Sequence, residues 1–396
     1  MKLAGASKFI PYGRQLIDDD DRKAVEEVLS GDWLTQGPSI ESFERALAEY
    51  CGAKYAVAVS NGTAGLHIAG LAAGLKPGKR SLTSALTFVA SANAALYCQA
   101  ESDLADIDPG TLCLSPQAVE QADNPDVIIP VHFAGLSADS AAIRAQAPNS
   151  VIIEDACHAL GAQDVDGNMV GSCANADMAV FSFHPVKPIT TGEGGAVLTN
   201  DEELYRKLLM LRSHGITREL EELQDVGQSQ DEGEHAPWYY EQQMLGFNYR
   251  MTDIQAALGL SQLKKVDVFT QRRRDIAARY DEAFAALGAM DLAQNHPNQR
   301  KRSSHHLYVG LFDYEKMGCS RTAFMKRLRE SGVGSQVHYI PVYRQPLHRE
   351  RLGDVASAYP NTEAYYSKAL SLPIFPKMKD EDVEAVIAGV TSAVNG

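Results

Sequence analysis

The residues of this chain whose types and spacing could do chemistry fall in three short segments. In "MAVFSFHPVKPITTGEGGAVLTN", residues 178–200, Lys187 lies between Pro185 and Pro188, after one apolar run and before a glycine-rich turn at 192–195 that leads into another. Two strands with a tight connection do not need a lysine held between them. A solvated surface position is the usual fate of a lysine. Two flanking prolines argue instead for a fixed backbone, and a lysine desolvated in such a site has a lowered pKa and can attack a carbonyl. The glycine turn lacks the GK[ST] that cradles nucleotide phosphates. Ser182 and Lys187 are five apart, which excludes a Ser-x-x-Lys nucleophile.

The second segment is "AVAVSNGTAGLHIAG", where a strand ends at Ser60 and Asn61-Gly62-Thr63 turn into a helix. Free N–H groups in a first helical turn, with the helix dipole behind them, favour a phosphate. A plain strand-to-helix turn with a good cap would read the same way. The third is "SVIIEDACHALGA", in which an apolar strand delivers Glu154 and Asp155 to its carboxyl end, with His158 three residues on. In an open α/β sheet that edge faces the ligand crevice. A metal pair or a structural ion pair could use the same residues, although no further His, Cys, Asp or Glu cluster has metal-ligand spacing. Taken together, a phosphate on Gly62, Thr63 and Ser182, a carboxylate at Asp155 for a ring nitrogen, and an amine at Lys187 for an aldehyde match the needs of pyridoxal 5′-phosphate. Phe88 could stack on its ring. No metal is expected.

These segments need elements to hold them. "YAVAVS", "RSLTSAL", "SDLADID", "DVIIPVHFAG", "SVIIEDA" and "MAVFSFH" read as strands. "TAGLHIAGLAAGL", "FVASANAALYCQA" and "AAIRAQA" read as helices between them. Strands alternating with helical segments imply an α/β fold with a mainly parallel sheet. Two helices precede the first strand, "DDDDRKAVEEVLSGDW" with its acidic first turn and "SIESFERALAEYCG". Residues 219–235 are acidic and almost free of apolar anchors, and read as a mobile surface loop. "MTDIQAALGLSQLKKVDVFTQRRRDIAARYDEAFAAL" reads as one long helix bridging to a smaller α+β part. The expected division is 1–265 for a large cofactor-binding domain and 266–396 for a small C-terminal domain, since 396 residues exceed one core.

The net charge of −14 argues against nucleic acid or an anionic membrane as partner, because both need a basic face. Six scattered cysteines with no CxxC pair read as reduced thiols in a cytoplasmic protein. No stretch approaches the ~20 apolar residues of a membrane span.

The order "SNGTAGLH", "TFVASANA", "EDACHALGA", "FSFHPVKPITTGEGGAVLTND", "RSHGI" and "LGFNYRMTDIQAALGLSQL" resembles the DegT/DnrJ/EryC1/StrS family of sugar aminotransferases over nearly the whole chain. The resemblance implies the type I aminotransferase fold and a homodimer with shared active sites. Lys187 is similar to the lysine that binds the cofactor aldehyde. Asp155 would take the ring nitrogen, His158 would lie near the ring hydroxyl, and Gly62, Thr63 and Ser182 would hold the phosphate. Asn248 would reach the phosphate from the partner subunit. "FIPYGRQ", "DWLTQGP", "HPVKPITT" and "QVHYIPVY" carry a narrower resemblance, to members that aminate pseudaminic acid precursors. It implies transfer of the amino group of L-glutamate, leaving 2-oxoglutarate, to C4 of a UDP-linked 4-keto-6-deoxy N-acetyl sugar. The sugar side would be lined by Tyr12, by Asp32, Trp33, Leu34 and Thr35, and by Gln336, Val337, His338 and Tyr339, with Arg250 as a further anion contact. A C3 aminotransferase and a sugar 3-dehydratase of the same family are the alternatives. The dehydratases place histidine where the lysine belongs, and Lys187 speaks against them.

Overall fold

The computed structural model describes residues 9–396. Seven strands form the main sheet: β1 (Tyr55–Val59), β2 (Arg80–Ser84), β3 (Glu101–Ala105), β4 (Val127–Ile129), β5 (Val151–Asp155), β6 (Met178–Ser182) and β7 (Gly195–Thr199). Their order is β1-β7-β6-β5-β4-β2-β3. Only β7 runs against its neighbours; the pairs β2–β3, β2–β4, β4–β5 and β5–β6 are parallel. Strands β6 and β7 are apolar almost throughout, as is β5 up to its terminal Glu154 and Asp155, and their residues are buried nearly end to end. Continuous apolar runs of this kind are what a sheet covered on both faces requires.

The reversal of β7 follows from its connection. Residues 183–194 contain no helix, and a parallel return would need a longer crossover, usually helical. Since β7 is antiparallel to both β1 and β6, the carboxyl ends of β1, β5 and β6 lie at one edge, where β7 begins. The glycines at 192–195 serve this crowded place. Gly192 has φ +82°, and a Cβ on Gly195 would lie 2.7 Å from the carbonyl carbon of Asn61 and 2.8 Å from the nitrogen of Gly62.

The helices of the larger part are α1 (Asp19–Leu29), α2 (Pro38–Cys51), α3 (Gly62–Ala72), α4 (Val89–Tyr97), the short α5 (Pro116–Glu120) and α6 (Ser140–Gln146), then α7 (Glu202–Arg212), α8 (Asp253–Leu263) and α9 (Val266–Phe284). The first two helices have local signals at their ends. Asp18 and Asp21 form a reciprocal capping box at α1, Pro38 opens α2, and Gly52 closes it in the left-handed region at φ +78°. Beyond α9, the strands Met290–Leu292, Tyr308–Phe312 and Ala369–Leu372 form a small antiparallel sheet. It packs with Arg321–Glu330 and Asp380–Asn395 around a separate core. Ile10 belongs to that core, so the chain's N-terminal stretch is tied to the smaller part. No helix among the described residues is long and apolar enough to cross a membrane.

Two expectations need correction. The single long helix is two, α8 and α9, broken at Lys264–Lys265. Lys265 turns its ammonium to Asp18 and to Asp21, the latter at 2.8 Å, and Asp21 also accepts from Ser261 Oγ and Gln262 Nε2, each at 2.6 Å. Residues 219–235 are not a featureless loop. They hold a two-residue strand pair, Gln230–Asp231 with Glu234–His235, and a buried Ser229. The N–H groups of Gln224 and Asp225 donate to the carboxylate of Glu241 at 2.7 and 2.8 Å. The anchor lies outside the segment, where composition cannot reveal it.

Asp21 is 1% exposed, and besides the Asp18 N–H of its capping box it accepts from three donors of the α8–α9 junction. Asp21→Ala leaves Lys265 with Asp18 alone, Gln262 Nε2 with the Leu16 carbonyl alone, and Ser261 Oγ without its acceptor. It should cost about 2 kcal/mol of stability, read from urea denaturation; a loss under about 0.5 kcal/mol would mean that the network does not hold the junction.

Candidate active site

The sheet edge where β1, β5 and β6 end opens into a cavity of about 610 Å³. Among the residues that wall it are Gly62, Thr63, Phe88, Asp155, His158, Ser182, Lys187, Tyr12, His338 and Tyr339, each expected from the sequence. The others named there lie elsewhere in this chain. Asp32 and Trp33 line a separate groove between α1, α2 and α8. The Leu34 carbonyl accepts from Asp253 N–H at 3.0 Å, and Thr35 pairs with Thr252. Gln336 pairs with Ser371, and Val337 packs on the smaller part's core. Asn248 and Arg250 lie on a strip that bridges to Ser213 and to Val59, with Arg250 Nη1 donating to Ser213 Oγ at 3.0 Å. None of these eight walls the cavity.

Local structure explains the wall. Asn61 caps α3, accepting from Ala64 N–H at 2.8 Å. This leaves the N–H groups of Gly62 and Thr63 without a protein acceptor among the described residues. Gly62 is packed so closely that a Cβ would lie 2.9 Å from that of Ser182. The turn and the Ser182 hydroxyl therefore share one small space, an anion site of helix-terminus type. Phe88 precedes α4 and remains 55% exposed, its ring centroid 5.9 Å from that of Tyr339, so an aromatic face is left open to the cavity.

Strand alternation separates the two carboxylates of β5. Glu154 faces away, accepting from Ser140 Oγ at 2.6 Å beside His132. Asp155 faces the cavity, accepting from Ser91 Oγ at 2.6 Å and from Cys157 N–H at 3.2 Å. Among the described residues it has no lysine or arginine within ion-pair distance. Sequence reasoning missed Ser91, which aims this carboxylate from α4; no pattern links the two residues. Asn61 was findable, since Asn before a Gly-Thr helix start is a cap signal.

Lys187 is half-buried, in a turn closed by its N–H donating to the His184 carbonyl at 2.9 Å. Burial pulls its pKa below that of an ordinary lysine, against the opposing pull of Cys157 and Asp155. Imidazoles crowd the same cavity. Nδ1 of His158 accepts from Ala134 N–H at 3.3 Å, and its Nε2 lies 3.0 Å from Tyr339 Oη. His306, not singled out from the sequence, lies with its ring 4.4 Å from that of His158. Burial, and then the neighbouring Lys187, hold His158 and His338 neutral, the latter down to about 3. No group of three or more His, Cys, Asp or Glu side chains among the described residues is gathered as a metal site would be.

A cavity with a phosphate-sized turn, an open aromatic face, a buried carboxylate lacking a cation and an amine of lowered pKa fits a pyridoxal phosphate. Fold and cavity define the class, a type I aminotransferase. The chain belongs to the DegT/DnrJ/EryC1/StrS aminotransferase family, which it matches over residues 15–391. It is 38% identical over 393 residues to the spore coat polysaccharide biosynthesis protein SpsC of Bacillus subtilis, covering 98% of each chain. Among solved structures it resembles Helicobacter pylori PseC, an aminotransferase involved in the biosynthesis of pseudaminic acid. The TM-score is 0.86 at 31% identity, over 98% of this chain and 100% of that one. It is also similar to the PLP form of Spr1654 from Streptococcus pneumoniae, with a TM-score of 0.86 at 28% identity, over 98% and 99%.

The lowered pKa of Lys187 has a sign that can be checked. Unfolding returns the amine to its ordinary value, so between the lowered folded pKa and about 10.5 the unfolded chain binds more protons and stability gains with rising pH. Relative to a Lys187→Met variant, the cofactor-free protein should therefore gain in melting temperature from neutral pH towards 10.5. Parallel pH curves for the two proteins would refute the depressed amine.

Proposed function

We propose that this chain moves the amino group of L-glutamate to C4 of a UDP-linked 4-keto-6-deoxy N-acetyl sugar, in the manner of pseudaminic acid precursors. The observation that carries the reading is the full-length likeness to PseC, together with a lysine, not a histidine, at position 187. The cofactor is pyridoxal phosphate, which when bound supplies an aldehyde to carry the amino group and a ring that absorbs carbanion electrons. In this reading Gly62, Thr63 and Ser182 bind the phosphate and Phe88 covers the ring. Asp155 keeps the ring nitrogen protonated. The Lys187 amine holds the cofactor and, once released, carries the proton to and from the carbon that gains the amino group. Tyr12, His338 and Tyr339 flank the sugar. Residues 1–265 carry the cofactor and 266–396 form the smaller domain.

Six of the eight expected residues outside this chain's cavity suit a shared site, whereas Gln336 and Val337 belong to the smaller part of this chain. We read the protein as an isologous homodimer in which Asn248, Arg250 and the segment 32–35 serve the partner's cavity. A regiochemical alternative, amination at C3, is kept open by the similarity to SpsC, whose name specifies a polysaccharide and not a ring position.

Lys187→Ala should abolish turnover and leave no borohydride-fixed cofactor, while Asp155→Ala should slow the reaction about 10²–10⁴-fold. A panel of UDP- and dTDP-linked keto sugars, with product structures solved by NMR, tests the substrate: amination at C3 alone would overturn the C4 assignment. Mixing inactive Lys187→Ala chains with inactive chains disrupted at Asn248 should restore some activity. No recovery after demonstrated subunit exchange would eliminate the shared site.

A further inference from the structure

The imidazole wall of the cavity contains a chain of hydrogen bonds whose direction can be worked out from one end. It begins at Ala134, in the short turn Phe133–Gly135. The Ala134 N–H can only donate, and it donates to Nδ1 of His158. Nδ1 therefore presents a lone pair. Three groups crowd the same ring: Lys187, His338 and His306. His306 is itself neutral, and its Nδ1 is buried without a hydrogen-bond partner. In that company a second proton on His158 is opposed from every side. A neutral imidazole has one N–H, and with Nδ1 committed as acceptor it must be Nε2. Nε2 then donates to Tyr339 Oη.

The consequence falls on the tyrosine. Its oxygen already accepts from His158, so its own proton must go to another acceptor. Oη has no second protein partner among the described residues. Tyr339 walls the cavity together with Asp155 and Lys187. We propose that Tyr339 donates a hydrogen bond to an electron-rich oxygen of the molecule bound in the cavity, and that His158, set by Ala134, is the positioning residue that fixes this direction. The acceptor is the ring oxygen of the cofactor or an oxygen of the sugar. Burial keeps the phenol protonated well above its ordinary range, so the donor is present at every working pH. His158 itself, expected from the family resemblance to lie near the cofactor's ring hydroxyl, has both nitrogens engaged by the protein. The donor the cavity sees is one residue further out. This inference rests on the aminotransferase reading above.

The first test needs no turnover. Long-range ¹H–¹⁵N correlation of the full-length protein, labelled at histidine and recorded with and without cofactor, should show His158 unprotonated at Nδ1 and protonated at Nε2. The signal is assigned by its loss in His158→Gln. The opposite tautomer, or an imidazolium at neutral pH, would overturn the proposal. The second test compares Tyr339→Phe, His158→Leu and His158→Gln. A glutamine can accept from Ala134 N–H and donate to Tyr339, so it should recover most of what leucine loses. Tyr339→Phe and His158→Leu should each lower kcat/KM about tenfold or more, and the double variant should fall no further. If the cofactor oxygen is the acceptor, the absorption band of the bound cofactor and its pH titration shift in Tyr339→Phe before any sugar is added. If a sugar oxygen is the acceptor, that band and the glutamate half-reaction stay as in the parent, and only the sugar half-reaction slows. Failure of every sugar to react would sink the proposed substrate, while the tautomer and the cofactor band would still read the hydrogen bond. Additive losses, or a Tyr339→Phe protein unchanged in both half-reactions, would refute the proposal.

Discussion

Asp155 is 6% exposed, its carboxylate hydrogen-bonded by one hydroxyl and one backbone N–H, with no lysine or arginine in ion-pair reach among the described residues. A buried charge held by neutral donors alone is costly unless something cationic completes it. The cavity in front of it leaves room for such a group, and a protonated ring nitrogen would suit. The same charge bears on Lys187, whose amine is pulled down by burial and partly restored by Asp155 and Cys157. Carboxylate and amine thus line one cavity and act on each other's charge. The sheet, the helix start at Gly62 and the turn at 183–194 all serve to keep that cavity open.

Strand order does this work. Had β7 run parallel to β6, its start would lie at the far edge, and the segment bearing Lys187 would have to cross the sheet. Because β7 returns directly and enters between β6 and β1, the lysine turn, the Ser182 hydroxyl and the start of α3 are squeezed together. The closeness is bought with glycine: Gly62 packs on Ser182, and Gly195 on the Asn61–Gly62 backbone. An anion site made from N–H groups in this way needs no basic side chain, which is how a protein of net charge −14 can hold a phosphate.

The smaller part closes the cavity from the other side. His338 and Tyr339 lie on the stretch that leads from the helix Arg321–Glu330, and His306 just precedes the strand Tyr308–Phe312. Tyr12 reaches the cavity from an N-terminal stretch tied to the same core through Ile10. The aromatic and imidazole wall is therefore assembled from pieces remote in sequence. It is packed against the end of β5 by contacts such as Tyr339 with His158 and Ser304 Oγ with the His158 carbonyl.

The sequence by itself determined what depends on local pattern. Apolar runs specified β1, β5, β6 and β7, the Asn-Gly-Thr turn specified the start of α3, and the paired prolines marked Lys187 as a held residue. Glu154 and Asp155 were legible as a pair at a strand end, but which of them meets the cavity was decided by the pleat once β5 took its register beside β4 and β6. The break between α8 and α9 was invisible, because a helical pattern continues through Lys264–Lys265 and only Asp18 and Asp21, some 240 residues earlier, pull Lys265 out of line. Ser91 and His306 were invisible for the same reason, since hydrogen bonds and ring contacts between distant segments leave no periodicity to read. Tyr339 was legible only as a member of a motif; its partner, and the direction of its proton, were decided by the tertiary structure, because a hydroxyl takes its role from whichever atom the fold brings to it.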